Sequence, residues 1–449
     1  MKACSLLWPI SFRKEVAALL EVLQAEKPLL GRITPPGDKS ISHRALILGA
    51  LADGESRVDG LLLGDDVLAT KAALEQLGAT FYWAGKRLLI SGIGEAGLHA
   101  PESPLDMGNS GTAIRLLAGV LAAQSFDSEL FGDDSLSKRP MGRIFSPLRE
   151  MGAVISGTKL HTPPIRISGR ALQGINYVSP IASAQVKSCV LLAGLFANGR
   201  TTVCEPETSR DHTERMLPIF GVQLPQQCSV DGGSRLKAAD ISVPADISSA
   251  AFLIAATLMV KGSDLVLNNV GLNPTRDGFL RALVQMGADI TYRQNLTGAE
   301  PSGDIHVRYS GRLKAITLPE EWVPSMVDEI PVLMVLAAMA EGTSRIRGAA
   351  ELRHKESDRL AVMSAGLMRL GIEIQEFEDG IDIKGSDNII EANLESAGDH
   401  RCAMSFAVIA LRSPGRLLIN DAEYIATSYP GFVEDMRELG VRIQMVDLN

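Results

Sequence analysis

One pattern recurs six times along the chain: a leucine- or methionine-containing segment, a glycine, and then a run of β-forming residues. The segment ALEQLGATFYW is one copy, and successive glycines are 66–84 residues apart. The six glycines are Gly78, Gly152, Gly221, Gly287, Gly371 and Gly440. Each copy predicts a helix that ends at the glycine and a strand that follows at once. The fold is therefore restricted to an arrangement of repeated units.

A second series of six segments alternates with the first, each with a polar, turn-forming cluster before an apolar helical run. The segments are Gly37–Ala50, Met107–Ala122, Ile181–Leu195, Asp246–Val260, Ser325–Ala340 and Gly398–Leu411. Each unit therefore has two helices and several strands, roughly in the order βαβαββ. Because units of about 70 residues are long for a solenoid, we predict an α/β (α+β) fold with two similar domains of three units each.

The two ends of the chain predict how the domains are divided. The sixth unit stops at Asn449 without a final hairpin, whereas Leu29–Thr34 is a predicted strand with no local partner. We therefore expect Leu29–Thr34 to complete the sixth unit, so that residues 1–35 and 246–449 form one domain. Residues 36–245 then form the inserted domain, and proline marks both chain crossings. An active site between two such domains would open and close by hinging.

The first 27 residues are predicted to form a leader or a surface helix. Val16, Leu19, Leu20 and Leu23 have helical spacing. The apolar stretch Ala3–Phe12 is cut short by charged residues and lacks a cleavage site, which disfavours a signal peptide. No run of roughly 18 or more apolar residues occurs elsewhere, so we expect no membrane-spanning segment.

Composition excludes several classes of protein. The chain has 44 Lys and Arg against 53 Asp and Glu, a net charge of −9, whereas a nucleic-acid partner requires a basic face. Its five cysteines have no paired spacing, which predicts a reduced protein in the cytoplasm. Its seven histidines have no metal-binding spacing either, so we expect no metal site.

The starts of the second-series helices carry an unusual density of cations, hydroxyls, amides and glycines. Helix N termini have free N–H groups and partial positive charge, and therefore favour anions. The first start places Lys39, Ser40 and Arg44 together, and the segments GNSGTAIR and ASAQVKS begin the next two helices. Each start alone is also typical of an ordinary capped helix with solvated charges.

The starts taken together favour a binding cleft. Cations stand at chain breaks and helix starts in both halves of the sequence, at Lys39, Arg44, Arg139, Lys355, Arg359 and Arg401. If the units close as predicted, these cations line one electropositive cleft that suits a small, multiply anionic substrate. Asp328 and Glu356 are candidate base and acid groups, because nearby cations keep carboxylates ionised and positioned.

At these residues the sequence resembles the enolpyruvyl transferase family, in particular its members that use shikimate 3-phosphate. The matching stretches are PGDKSISHR, GNSGTAIR, KRPMGR, ASAQVKS, PSMVDE, LRHKESDRL and DHRCAMSF, in family order from Pro36 to Phe406. This combination of stretches is most similar to the divergent class of the family, which contains glyphosate-tolerant members. The resemblance implies two inside-out α/β barrel domains with the active site in the cleft between them.

The resemblance also implies the reaction. Phosphoenolpyruvate would transfer its enolpyruvyl (carboxyvinyl) group to the 5-hydroxyl of shikimate 3-phosphate and release phosphate, by addition and elimination and without a metal or organic cofactor. This places the chain in the shikimate pathway of aromatic amino acid biosynthesis. We expect a monomer whose partners are these two small molecules and the inhibitor glyphosate.

Site residues follow from the motif match. Shikimate 3-phosphate would bind Lys39, Ser40, Arg44, Ser183, Ala184, Gln185, Arg210, Asp328 and Lys355. Phosphoenolpyruvate would bind Lys39, Gly111, Arg139, Gln185, Arg359 and Arg401. The catalytic residues implied are Asp328 as base on the attacking hydroxyl, Glu356 as proton donor to the methylene carbon, and Lys39. Motif matching leaves open which acid performs which proton transfer.

Three positions depart from the family patterns. Gly111 stands where tolerant members have alanine, so we expect room for glyphosate and sensitivity to it. Ala184 replaces a serine of the commoner class, which removes one phosphate donor. Thr427 stands where that class has a lysine that binds phosphoenolpyruvate, and Arg210 could compensate on the shikimate side.

Two alternatives remain at this point. The sister reaction on UDP-N-acetylglucosamine commonly uses a loop cysteine as proton donor, but none of the five cysteines lies in a matching loop. A non-catalytic sixfold-repeat ring or clamp would need a basic inner face along its helices, whereas the cations here cluster at helix starts.

Overall fold

The computed structural model describes residues 18–295 and 300–447. The α-helices are α1 (Lys39–Leu51), α2 (Asp65–Gln76), α3 (Gly111–Ala122), α4 (Gly142–Glu150), α5 (Ala184–Gly194), α6 (His212–Met216), α7 (Ile247–Met259), α8 (Gly278–Gln285), α9 (Ile330–Met339), α10 (Arg359–Arg369), α11 (His400–Ala410) and α12 (Phe432–Glu438). None of these described helices is long and apolar enough to cross a membrane.

The strands are short. They are β1 (Ala18–Leu23), β2 (Leu30–Ile33), β3 (Glu55–Asp59), β4 (Thr80–Ala84), β5 (Arg87–Ser91), β6 (Leu105–Asp106), β7 (Asp127–Phe131), β8 (Val154–Ser156), β9 (Ile165–Ser168), β10 (Asn176–Val178), β11 (Arg200–Cys204), β12 (Ser229–Asp231), β13 (Asp240–Ser242), β14 (Asp264–Gly271), β15 (Asp289–Asn295), β16 (Ser302–Arg308), β17 (Thr343–Ile346), β18 (Glu373–Phe377), β19 (Gly380–Lys384), β20 (Asn393–Glu395), β21 (Arg416–Asn420) and β22 (Ile443–Asp447).

These strands form six small sheets, one for each repeat, in the described part of the chain. Their strand orders are β13-β3-β5-β4, β6-β7-β9-β8, β10-β11-β12, β15-β16-β14-β2, β17-β19-β18 and β20-β21-β1-β22. In each unit one strand lies between two helices along the chain, as β3 lies between α1 and α2. The mixed α/β architecture predicted from the repeat is therefore confirmed.

The glycines of the first series act as helix stops. All six have φ between +81° and +107°, a conformation that costs glycine little and other residues more. Five are followed within three residues by a strand, as predicted. After Gly221 the prediction is wrong, because no strand begins until Ser229.

The second series is confirmed as six helices, α1, α3, α5, α7, α9 and α11. Five of them begin after a side chain that accepts a hydrogen bond from the first turn: Asp38, Ser110, Ser183, Asp246 and Asp399. The sixth, α9, begins after Glu329 with a proline in its first turn, where no N–H is needed. Each cap fixes the direction in which its helix start points.

The predicted helix before Gln24 is wrong over its described residues, because Ala18–Leu23 forms a strand. β1 lies between β21 and β22 and is antiparallel to both. Ala18, Leu20 and Val22 are buried and alternate with partly exposed neighbours, so the period is two rather than 3.6. The expected leader over residues 1–17 lies outside the described residues.

The strand predicted at Leu29–Thr34 exists, but it completes a different unit. β2 pairs in parallel with β14 of the fourth repeat, and it is β1 that completes the sixth. Similarly, β13 pairs in parallel with β3 of the first repeat. The first and fourth units thus each take their leading strand from a distant part of the chain.

The two chain crossings lie side by side. The Asp38 N–H donates to the Pro244 carbonyl oxygen and the Asp246 N–H to that of Pro36, both at 2.8 Å. Arg276, which is 3% exposed, donates to Asp38 at 3.0 Å and to Asp246 at 3.2 Å. One guanidinium therefore joins the residues that cap α1 and α7.

Buried apolar side chains form two clusters. One contains residues from positions 41–243, and the other contains residues from positions 245–443 together with Leu20, Val22, Leu29 and Ile33. This grouping supports the predicted division into residues 36–245 and the remainder, which stays a prediction. We refer below to residues 36–245 as the N-terminal half and to residues 246–447 as the C-terminal half.

Leu20→Ala tests the inserted position of β1. The side chain is fully buried between β21 and β22, so its truncation should lower the free energy of unfolding by about 2–5 kcal/mol. Leu30→Ala, on β2, the next strand along the chain, is 58% exposed and should change it by less than about 0.5 kcal/mol. Urea unfolding of both variants measures the difference, and equal effects would contradict a core position for β1.

Candidate active site

One cleft brings the predicted site residues together. It is lined by the starts of α1, α3, α5, α7 and α11 and by the segments that precede α9 and α10. Every predicted site residue except Arg359 lines it. Arg359 is 1% exposed and reaches the cleft through its ion pairs with two lining carboxylates, Asp328 and Glu356.

The start of α1 supplies two cations with different environments. Lys39 contacts Asp66, a carboxylate that burial holds at a raised pKa despite this partner. Arg44 donates instead to neutral groups, the hydroxyls of Thr213 at 2.7 Å and Ser188 at 2.6 Å. Burial lowers the pKa of Arg44 to about 10. Arg44 thus holds a positive charge that no carboxylate of the described residues pairs with directly.

Gly111 begins α3, and its Cα faces two guanidinium groups. A methyl group at Gly111 would lie 2.8 Å from Nη1 of Arg115 and 3.2 Å from Nη1 of Arg139. Arg139 donates to the Asn109 carbonyl oxygen at 3.1 Å and to the Ser135 hydroxyl at 3.1 Å. The predicted contact of Gly111 and Arg139 with one anion is therefore geometrically possible.

A buried cluster of ion pairs stabilises the start of α5. Ser183 caps the helix, and its own N–H donates to Glu205 at 2.8 Å. Lys187, 1% exposed, lies 3.0 Å from Glu205 and 2.8 Å from Glu214. Lys187 therefore neutralises the carboxylate that orients Ser183, a residue that lines the cleft beside Ala184.

Asp328 collects cations from both halves. Arg210 of the N-terminal half donates to it at 2.6 Å and Arg359 of the C-terminal half at 3.2 Å, while Arg401 lies 3.7 Å away. Burial alone would raise the pKa of Asp328, but Arg401, Arg210, Lys355 and Arg359 outweigh it and hold the pKa well below its usual range. Asp328 is therefore an ionised carboxylate at neutral pH.

Glu356 is the second ionised carboxylate of the cleft. Arg359 donates to it at 2.6 Å, and Arg139 lies 3.5 Å away across the cleft. Burial favours the neutral acid, yet Arg359, Arg139, His400 and Lys39 together hold the pKa of Glu356 well below its usual range. In this ligand-free cleft Glu356 carries no proton to donate.

Among the ion pairs that join the two halves in the described part of the chain, three connect an arginine and a carboxylate across the cleft. Besides Arg210–Asp328 and Arg139–Glu356, Arg143 makes two hydrogen bonds to the Glu351 carboxylate at 2.9 and 3.0 Å. Each pair joins a guanidinium of the N-terminal half to a carboxylate of the C-terminal half. The cleft walls are thus drawn together by opposite charges that also lie where a substrate would bind.

Comparison with known proteins identifies the family. Residues 23–436 match the family model of EPSP synthase (3-phosphoshikimate 1-carboxyvinyltransferase). The chain belongs to the EPSP synthase family. It catalyses the transfer of the enolpyruvyl group of phosphoenolpyruvate to shikimate 3-phosphate, a step of aromatic amino acid biosynthesis. The predicted reaction is confirmed at this level.

The relatives cover nearly the whole chain. The 3-phosphoshikimate 1-carboxyvinyltransferase of Xanthomonas campestris pv. campestris (strain B100) is 52% identical over 417 residues, 92% of this chain and 95% of the relative. That of Xanthomonas axonopodis pv. citri is 51% identical over 422 residues, 93% and 96% of the two chains. The solved EPSP synthase of Acinetobacter baumannii is similar with a TM-score of 0.85 and 47% identity, covering 96% of this chain and all of that one.

Three histidines of this EPSP synthase family member line the cleft, His212, His354 and His400. Burial and then Lys39 hold the pKa of His400 well below its usual range, and its Nδ1 lies 3.2 Å from the Thr427 hydroxyl. His43 is fully buried between Thr70 and Ser110, outside the cleft lining. Across residues 18–295 and 300–447, no three His, Cys, Asp or Glu side chains are grouped to hold a metal ion.

Several cleft residues were not predicted as site residues. Arg115 lies within the GNSGTAIR stretch, so its position was available, but nothing in the sequence shows that its side chain turns toward the cleft. Arg143 likewise lies within the KRPMGR stretch, whereas Asp66 and Arg276 belong to no recognised motif and join the cleft only through tertiary packing. Glu351 lies four residues before Lys355, where the sequence reads as an ordinary solvated pair.

Glu356→Gln tests the electrostatics of the ligand-free cleft. A carboxylate whose folded pKa lies below its unfolded value of about 4.3 adds stability above that pH and loses it as pH falls through the folded pKa. Wild-type protein should therefore lose unfolding free energy between about pH 5 and pH 3 more steeply than Glu356→Gln. Urea unfolding across this range measures the slopes. Glu373→Gln, whose carboxylate is 73% exposed, serves as control and should parallel wild type; a parallel Glu356→Gln curve would contradict the assignment.

Proposed function

We propose that the cleft binds both substrates at the residues that the motif match implies. The observation that carries this proposal is the pair of ionised carboxylates, Asp328 and Glu356, held among cations from both halves. A small substrate with several negative charges could replace these internal ion pairs while remaining within reach of an acid and a base.

Shikimate 3-phosphate would lie against α1, α5 and the Arg210 loop. Its phosphate would meet the N terminus of α5, where Ser183, Ala184 and Gln185 line the cleft, and its ring hydroxyls would lie near Asp328. Lys39, Ser40, Arg44 and Lys355 would complete this half of the site. Arg210 supports the expected compensation for the missing serine at Ala184, because it already projects from the N-terminal half to Asp328.

Phosphoenolpyruvate would lie between the start of α3 and the cations of the C-terminal half. Gly111 and Arg139 would contact it from one side, and Arg359 and Arg401 from the other, with Lys39 and Gln185 shared between the substrates. Thr427 contacts His400 and the Tyr424 carbonyl oxygen, and it is absent from the cleft lining among the described residues. In the commoner class a lysine at the position of Thr427 adds positive charge here, so in this chain Arg401 would supply that charge without it.

The chemistry follows from these positions. Asp328 would accept the proton of the 5-hydroxyl group while the hydroxyl oxygen adds to C2 of phosphoenolpyruvate. Glu356 would protonate C3. Loss of one proton from the resulting methyl group would then expel phosphate and leave the enolpyruvyl ether. Because Glu356 is ionised in the ligand-free cleft, it must take up a proton before it can donate one. The ionised form is equally suited to accept a proton in the second step.

Three finer statements belong to the same proposal. Glyphosate would compete for the phosphoenolpyruvate half of the site. The protein would act in the cytoplasm, as its cysteine usage predicts, and it would act as a monomer.

Two variants test the assigned roles when phosphate release is measured with shikimate 3-phosphate, with UDP-N-acetylglucosamine as the alternative acceptor. Glu356→Ala should lower kcat by about 10²–10⁴-fold, because proton transfer loses its side chain, and should leave shikimate 3-phosphate binding nearly unchanged. Arg401→Ala should mainly raise the KM for phosphoenolpyruvate, by an amount equivalent to about 2–5 kcal/mol.

Glu373→Ala on the exposed strand β18 serves as the matched control and should keep wild-type kinetics. Wild-type kinetics for both Glu356→Ala and Arg401→Ala would overturn the site assignment. Phosphate release with the nucleotide sugar alone would overturn the acceptor.

Gly111→Ala tests the glyphosate proposal. Wild-type protein should be inhibited at micromolar glyphosate when phosphoenolpyruvate is low. A methyl group at Gly111 would press on Arg115 and Arg139 and fill space that the longer inhibitor needs. The inhibitory concentration should therefore rise at least about tenfold. Gly431→Ala, at a helix start with open space around the added carbon, is the control; unchanged inhibition of Gly111→Ala, or none of wild type, would contradict the proposal.

A further inference from the structure

Arg115 is a cleft-lining cation that makes all of its hydrogen bonds to neutral groups. Its Nη1 donates to the Gly111 carbonyl oxygen at 3.1 Å and to the Gln185 amide oxygen at 2.8 Å. Its Nη2 donates to the Pro140 carbonyl oxygen at 3.1 Å. Within residues 18–295 and 300–447, no carboxylate forms an ion pair with its guanidinium. The positive charge of Arg115 is therefore not compensated by direct contact.

The charged side chains around Arg115 are engaged elsewhere. Of the nearby carboxylates, Glu351 pairs directly with Arg143 and Glu356 with Arg359, so both act on Arg115 only from a distance and partly oppose the lowering of its pKa. Arg139 and Arg143 approach from the loop before α4 and from α4 itself and add positive charge. On α5 the Cys189 thiol interacts with Arg115, and burial holds this thiol neutral with its pKa raised to about 12. Loss of hydration lowers the pKa of Arg115 to about 10.

Arg115 also fixes the amide of Gln185. The amide oxygen accepts from Arg115, and the amide nitrogen donates to the Thr112 hydroxyl at 3.0 Å. Because Arg115 only donates, the oxygen of Gln185 must face it and the nitrogen must face Thr112. The second N–H of the Gln185 amide therefore points in one fixed direction. Without Arg115 the amide could turn over.

The position of Arg115 joins these two effects at one place. Its Nη1 lies 2.8 Å from where a Cβ of Gly111 would be, beside Nη1 of Arg139 on the same side. An anion at Gly111 would therefore meet the start of α3 and two guanidinium groups, one of them without a carboxylate partner.

We infer that Arg115 is a positioning residue for phosphoenolpyruvate, because it fixes the Gln185 amide and places next to Gly111 a positive charge that no described carboxylate contacts directly. The inference rests on the proposed placement of phosphoenolpyruvate at Gly111, Arg139 and Gln185. It assigns Arg115 no proton transfer and no contact with the reacting carbons. Its effect should thus appear in the KM for phosphoenolpyruvate rather than in kcat.

The test compares Arg115→Lys and Arg115→Met between about pH 7 and pH 9.5. A lysine in this poorly hydrated position, among Arg139 and Arg143, should lose its proton well below its ordinary pKa of about 10.4, whereas arginine stays charged. Arg115→Met should raise the KM for phosphoenolpyruvate by about tenfold or more at every pH. Arg115→Lys should show a smaller increase at pH 7 and approach Arg115→Met as pH rises. KM values are taken relative to wild type at each pH, so that other titrations cancel.

Each outcome decides the inference. If Arg115→Lys and Arg115→Met differ from wild type by the same factor at every pH, Arg115 has a purely structural role and the inference is overturned; it is also overturned if Arg115→Met keeps the wild-type KM. Arg139→Met separates this failure from that of the proposed function. If Arg139→Met raises the KM and Arg115→Met does not, only the inference fails, and if neither does, the placement of phosphoenolpyruvate is wrong. Arg369→Met, on the exposed face of α10, controls for general loss of an arginine.

Discussion

The buried guanidinium of Arg276 is the interaction on which the arrangement of the two halves depends. It contacts Asp38 and Asp246, the caps of α1 and α7, and it lies 3.4 Å from Glu329, which precedes α9. These helices start at the cleft, and the two chain crossings hydrogen-bond to each other beside the same group. Burial alone would lower the pKa of Arg276, but the three carboxylates raise it. A permanently charged group thus fixes three helix starts relative to one another.

Charge compensation differs between the two walls of the cleft. In the C-terminal half Arg359 is surrounded by Asp399, Glu356 and Asp328, which raise its pKa although burial opposes this. In the N-terminal half the hydrogen-bond partners of Arg44 and Arg115 among the described residues are neutral, and burial lowers the pKa of both to about 10. Protein carboxylates supply negative charge to the wall of the C-terminal half. An anionic substrate would supply it to the wall of the N-terminal half. Binding energy can therefore come from compensating charges that folding left unpaired.

The sequence predicted what is local and repeated, and it failed where distant segments pair. The glycine stops and the capped helix starts follow from backbone conformation and N–H satisfaction, which neighbouring residues determine. The motif match placed the predicted residues at one cleft for the same reason, because each motif sits at a helix start. The assignment of Leu29–Thr34 to the sixth unit failed because strand pairing is decided by tertiary packing. Ala18–Leu23 was misread because Leu19, Leu20 and Leu23 fit a helical period as well as a strand. Arg115 and Arg276 were missed because their partners are brought together only by the fold.

The ion pairs that bridge the ligand-free cleft also explain how an ionised Glu356 could become a proton donor. Arg139 and Arg359 hold its pKa down, and both belong to the proposed phosphoenolpyruvate site. A phosphate or carboxylate bound between them would neutralise the charges that keep Glu356 ionised, while burial, which favours the neutral acid, would remain. The pKa of Glu356 should therefore rise when phosphoenolpyruvate binds. Binding of phosphoenolpyruvate would in this way favour protonation of Glu356, the residue that would then protonate C3 of the same molecule.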